Sequence, residues 1–296
     1  MELLSLFTVA VFAAETILSP LADDAATALI STVPSVSFGQ LTAAPASPPQ
    51  ILGAATDVPE SLRVPGKTTP KPQRTKKSSY IIALLGDSMI DTLGPDAPHL
   101  KSKLAAAYPG VSFQIFNYGV GGTNIDYGLE RITSNYQYLG QDIPALVSKH
   151  PDIVVVESFG YNPYPFDNGA IDKHWLALAA IVDKLKAHLP GVKIIIAATI
   201  APDAKTFGDG AAGLSFSPDD KWKRVDVIKK YLESTVKFAA SQHLPIADAF
   251  HSSLGADGNG KKAYINQGDH IHYSDAGRNL FADAVMKAVT TNRLLE

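Results

Sequence analysis

The stretch Tyr80-Ile81-Ile82-Ala83-Leu84-Leu85-Gly86-Asp87-Ser88-Met89 holds a strand and a turn in ten residues. An unbroken apolar run is what a strand buried on both faces requires. Gly86 and Asp87 then favour a turn, and Asp87 or Ser88 can cap a helix that begins there. A strand that feeds a turn and then a helix opens a strand-helix-strand unit.

Working outward, comparable short runs at residues 112–117, 153–157, 193–199 and 245–248 read as further strands. Helical periodicity covers residues 97–108, 138–149, 171–189, 220–243 and 275–291. This alternation predicts an α/β domain with a parallel sheet covered by helices on both faces. Ligands bind beyond the carboxyl ends of the strands in such sheets, so reactive residues are expected just after each run.

The sequence upstream has a different character. Residues 3–22 are largely apolar but interrupted by Glu15 and Pro20, and the only charged side chain before them is Glu2. They read as a signal peptide or short anchor lacking the usual positive start, or as an apolar N-terminal helix. Residues 32–79 are rich in Pro, Ala, Ser and Thr and read as a linker. Its basic stretch, Lys67, Lys71, Arg74, Lys76 and Lys77, reads as solvated. The expected organisation is an apolar segment over 1–31, a linker over 32–79 and a catalytic domain over 80–296. An exported or membrane-tethered location is favoured over a cytoplasmic one.

The 296 residues are 46% hydrophobic and 19% charged, enough to build a buried core. A formal net charge of −3 supplies no basic field for nucleic acid, so no nucleic-acid partner is expected. Without cysteine, disulfides, thiolate metal sites and a cysteine nucleophile are all excluded.

A serine hydroxyl is a weak nucleophile at neutral pH and needs a base, itself oriented by a third group. Gly268-Asp269-His270-Ile271-His272-Tyr273-Ser274 supplies both. An aspartate three residues before a histidine in a tight loop can accept from Nδ1–H, which leaves Nε2 free to take a serine proton. His270 adjoins Asp269 and should point elsewhere. A His270–His272 metal pair lacks further clear ligands, so neither a metal nor a cofactor is expected.

Two more segments follow strand runs, Tyr118-Gly119-Val120-Gly121-Gly122-Thr123-Asn124 and Ser158-Phe159-Gly160-Tyr161-Asn162-Pro163-Tyr164. Gly122 can offer a backbone N–H and Asn162 a side-chain NH2 to a developing oxyanion. The same residues also suit plain turns. The glycines lack the Gly-x-Gly-x-x-Gly spacing of a dinucleotide loop.

Together the four segments resemble the SGNH (GDSL-type) hydrolase superfamily over residues 80–289. Gly86-Asp87-Ser88-Met89 resembles the family's Gly-Asp-Ser-Leu, residues 117–123 its glycine block, Gly160-Tyr161-Asn162 its Gly-x-Asn, and Asp269 to His272 its Asp-x-x-His. The resemblance implies a three-layer α/β/α flavodoxin-like fold with a parallel five-stranded central sheet. It also implies a serine esterase: Ser88 as nucleophile and first oxyanion donor, Gly122 and Asn162 completing the hole, His272 as base and then acid, and Asp269 orienting it. Pro163 departs from the aspartate common after the asparagine. No Gly-x-Ser-x-Gly elbow surrounds Ser88, which separates the chain from the other large family of α/β hydrolases.

The expected substrate is a small-molecule or carbohydrate ester, a short acyl or acetyl group on a sugar included. Tyr161, Tyr164 and Phe166 are candidates to contact it, unless they only pack. An O-acetyltransferase would use the same triad. A non-catalytic carbohydrate-binding or surface module could keep the same fold.

Overall fold

A computed structural model describes residues 75–296. The expected N-terminal segment and most of the expected linker lie outside the described residues. In chain order the elements are β1 (Ser79–Gly86), α1 (Ser88–Asp91), α2 (Pro98–Ala107), β2 (Ser112–Gly119), α3 (Ile125–Arg131), β3 (Tyr136–Tyr138), β4 (Gln141–Ile143), β5 (Ile153–Glu157), α4 (Ala170–His188), β6 (Lys193–Ala198), α5 (Pro218–Ser241), β7 (Ile246–Asp248), α6 (Ala249–Ser253) and α7 (Asp275–Thr291).

The central sheet has five strands in the order β2-β1-β5-β6-β7, every neighbour parallel. Counting only these strands, the order is that of flavodoxin-like folds, and their connections diverge between β1 and β5. The sheet is buried on both faces. Ile82 and Leu84 pack with α1, α2 and α7 on one side, while Ala83 and Leu85 pack with α3, α4 and α5 on the other. Period-two alternation therefore serves two apolar faces, which is why the strand runs carry no polar interruption.

One expected helix is absent. Over residues 138–149 the chain forms the β3–β4 hairpin and then a short 3₁₀ turn, Leu146–Lys149. Leu139 and Gly140 sit between the paired Tyr138 and Gln141, with φ of 48° and 74°. Two left-handed residues in a two-residue loop match the twist of hairpin strands, and Pro144 discourages helix around it. Two short helices, α3 and α6, add to those expected; their caps are Asn124 and Asp248.

Ser79 already belongs to β1, the Lys76 N–H donates to the Leu295 carbonyl (2.8 Å), and Lys77 pairs with Asp152. Among the described residues no helix is long and apolar enough to cross a membrane.

Candidate active site

The site lies where β1 and β5 diverge at their carboxyl ends. Asp87 caps α1: its carboxylate accepts from the Met89 N–H at 2.8 Å. Ser88 is the first helical residue. The cap and the serine are thus adjacent positions of one turn, and the capping and nucleophile readings of Gly-Asp-Ser are compatible. Close approach makes the turn tight. A Cβ on Gly119, at the end of β2, would stand 2.1 Å from the Asp91 backbone nitrogen, so α1 can lie against β2 only across a glycine. The Asn117 amide donates to the carbonyls of Ile90 and Gly94, both at 2.8 Å, tethering the end of α1.

From the other side of the divergence, the Asn162 side chain donates to Asp87 Oδ2 at 3.0 Å. One amide hydrogen is used here and the second stays available. Pro163 follows without turning Asn162 away from the Ser88 turn.

Asp269 and His272 occupy a loop closed at its base by the Ile265–Tyr273 bridge and by the Asn266 N–H donating to the His272 carbonyl (2.8 Å). His272 Nδ1 lies 2.9 Å from Asp269 Oδ2, while Oδ1 accepts from the backbone N–H groups of Ile271 (2.9 Å) and His272 (3.0 Å). Burial alone would raise the Asp269 pKa, but the bonds from His272 and these N–H groups outweigh it and hold the carboxyl below its usual range. His272 Nε2 is buried and has no hydrogen-bond partner. It and the Ser88 hydroxyl are not bonded to each other, which is common in a ligand-free site. A positive charge on His272 would lower the pKa of both Asp87, just before Ser88, and Asp91, three residues after it. His270, at φ 53°, turns away so that Nδ1 meets the Asp209 carbonyl at 2.7 Å.

The glycine segment adjoins Ser88. In its turn the N–H groups of Gly119, Val120 and Gly121 are bonded to Asn117 Oδ1, the Gly86 carbonyl and the Tyr138 hydroxyl. Gly122, exposed and at φ 71°, is the first residue of the turn whose N–H has no such bond.

The three candidate contact aromatics differ. Tyr161 is half-buried, with its hydroxyl donating to the Ile200 carbonyl at 3.0 Å. Tyr164 is buried, its hydroxyl bonded to Asp126 and its ring 3.9 Å from Lys173 Nζ, which is the packing alternative. Phe166 is exposed beneath Lys230 Nζ at 4.9 Å. A 530 Å³ open depression lined by Asn266, Tyr273, Ser274 and Arg278 adjoins the histidine loop but touches neither Ser88 nor His272.

A buried polar group beneath the site escaped the sequence reading. Glu157 ends β5 fully buried and accepts from the Ser158 hydroxyl. Burial pushes the Glu157 carboxyl well up, and the neighbouring Asp87 charge adds to this. Burial also raises Asp87, opposed by the Met89 N–H, Asn162, His272 and Arg131. Arg131 is 1% exposed and donates to the Gly86 carbonyl at 2.8 Å and to the Thr123 hydroxyl at 3.1 Å. Its guanidinium lies 5.0 Å from the Tyr127 ring centre. Nothing local in the sequence marks a charged residue on α3 as buried.

The GDSL-like Lipase/Acylhydrolase family matches residues 84–280. No curated protein sequence matches the chain. Solved structures with the same fold include a lipase/acylhydrolase from Enterococcus faecalis (18% identity, TM-score 0.52, covering 72% of this chain and 96% of that one). A GDSL-like lipase from Bacteroides thetaiotaomicron is 14% identical (TM-score 0.52, 75% and 93% covered). An acetyl xylan esterase, AlAXEase, is 18% identical (TM-score 0.50, 71% and 99% covered). The family match runs from the end of β1 into α7 and so takes in all four sequence blocks: the chain belongs to the GDSL-like Lipase/Acylhydrolase family and is an ester hydrolase.

Proposed function

We propose that the protein hydrolyses a carboxylic ester through Ser88, His272 and Asp269 by way of an acyl-enzyme. The observation that carries this reading is His272: Nδ1 is held by an Asp269 carboxyl kept below its usual pKa range, while Nε2 is buried and unpaired. A buried nitrogen without a partner is costly, and a serine hydroxyl brought up by substrate would satisfy it.

In the proposed reaction Ser88 Oγ bonds to the ester carbonyl carbon as its proton passes to His272 Nε2. The carbonyl oxygen becomes an oxyanion facing the N–H groups of Ser88 and Gly122 and the free amide hydrogen of Asn162. Collapse breaks the bond to the alcohol oxygen, which leaves with the proton from His272. Water then attacks the acyl-enzyme, His272 takes its proton and returns it to Ser88, and the acid departs. Asp269 stays ionised throughout and stabilises the imidazolium.

The substrate proposed for first test is a short acyl or acetyl ester on a carbohydrate, the class named for one of the fold neighbours. A panel of esters of graded acyl length, on simple and on sugar alcohols, run with wild type beside Ser88→Ala, tests both levels. Turnover by Ser88→Ala equal to wild type would overturn the mechanism. A preference for long acyl chains would overturn only the substrate class.

A further inference from the structure

The β3–β4 hairpin reaches the site through one side chain. Tyr138, the last residue of β3, accepts the Gly121 N–H at 3.1 Å and donates its hydroxyl to Asp91 Oδ2 at 2.7 Å. Asp91 ends α1, three residues after Ser88. The bridge therefore joins the helix that carries the serine to the glycine turn beside it. A Cβ on Gly121 would lie 3.8 Å from Ser88 Cβ and 3.3 Å from the Tyr138 hydroxyl, so the Gly121 backbone adjoins both.

We infer that Tyr138 and Asp91 form a positioning bridge that sets the oxyanion hole, a role that rests on the reading of Ser88 and Gly122 above. By taking up the Gly121 N–H, Tyr138 fixes the orientation of the peptide plane before Gly121. The next N–H, that of Gly122, is left for the substrate. Gly122 itself sits at φ 71° beside open space, where no side chain holds it. A glycine pair without such a clasp would sample many backbone states, and an oxyanion donor is effective only when held in place beforehand. The phenol is suited to the double role: burial, followed by the bond to Asp91, raises its pKa against the effect of the Gly121 N–H, so it keeps the proton it donates.

The test uses the full chain. Removing an oxyanion donor outright costs about 10²–10³-fold in kcat; loosening one should cost roughly tenfold. Tyr138→Phe deletes the hydroxyl and keeps the ring, and Asp91→Ala breaks the bridge from its other end. Each is expected to lower kcat about tenfold with KM little changed, and to weaken a tetrahedral boronic acid inhibitor by a similar factor. The double variant should be no worse than the poorer single one, because both remove one unit. Unchanged kcat, a rise in KM alone, or fully additive losses would overturn the proposal, and either single variant decides it if the other fails to fold. Full turnover by Ser88→Ala would instead show that the site reading is at fault, and the bridge would fall with it.

Discussion

Asn162 donates its side-chain amide to the buried carboxylate of Asp87 at 3.0 Å, linking the loop after β5 to the turn that presents Ser88. The bond spans the divergence of the sheet, the crevice where this topology binds ligands. Asn162→Ala removes both this link and the proposed oxyanion donor. It should lower kcat by roughly 10²–10³-fold with a smaller effect on KM, because such a donor acts most strongly in the transition state. Steady-state kinetics decide the matter, and a purely raised KM would make Asn162 a substrate-binding residue instead.

Replacing the proposed base or its orienting acid should be as damaging as replacing the serine. His272→Ala is expected to lose about 10³-fold or more in turnover with its circular dichroism unchanged. Asp269→Asn should also be severely impaired, since the amide favours the wrong imidazole tautomer. Activity near wild type in either variant would remove that residue from the mechanism.

Gly119→Ala should damage fold and activity together. Its methyl would lie 2.1 Å from the Asp91 backbone nitrogen, and backbone cannot swing aside as a flexible side chain can. Overpacking of this kind costs about 1–3 kcal/mol, and the displaced helix carries Ser88. Urea unfolding and ester turnover should both fall, whereas Gly122→Ala, with open space around it, should be limited by its left-handed backbone alone.

Acid should weaken the fold partly through His174 on α4. This imidazole is buried at 1% exposure, its Nε2 lies 2.7 Å from the Ser158 carbonyl, and burial lowers its pKa to about 4. Above pH 6.5 it is neutral in both states and adds no pH dependence. As pH falls from there towards 4 only the unfolded chain takes up the proton, so stability declines, by up to about 3 kcal/mol in total. Glu157, with its raised pKa, slopes the other way above its unfolded value of 4.5. The comparison is therefore between wild type and His174→Gln: the difference between their urea stabilities should change across pH 4–6.5, and a constant difference would show that His174 is not protected from protonation.

A chain beginning at Thr75 should remain folded and active. Lys76 and Lys77, just upstream of β1, are tied to Leu295 and Asp152. If the upstream residues are a signal or anchor, only the full-length chain should be exported or partition with membrane. Equal distribution of both forms would remove that targeting proposal, and unfolding of the short form would show that the upstream residues pack on the domain.

Much of the architecture was legible along the chain because its signals are local. The apolar runs of β1 and β5 can be buried only in a sheet covered on both faces, and the turns after them announce themselves by glycine, aspartate and asparagine at strand ends. The spacing of Asp269 and His272 within one loop likewise states their contact before any fold is known, as the 2.9 Å separation reflects. The apolar spacing of residues 138–149 fits a helix, whereas Leu139 and Gly140 take the left-handed pair of a hairpin turn. That choice depended on a partner strand and on the docking of Tyr138 to Asp91 and Gly121. Asp87, Glu157 and Arg131 lie far apart in sequence, and a charge becomes buried and paired only when the sheet closes over it. Tertiary structure alone therefore decided the polar support beneath the site, because the burial and balancing of charges are properties of the space around them and leave no periodic trace in the chain.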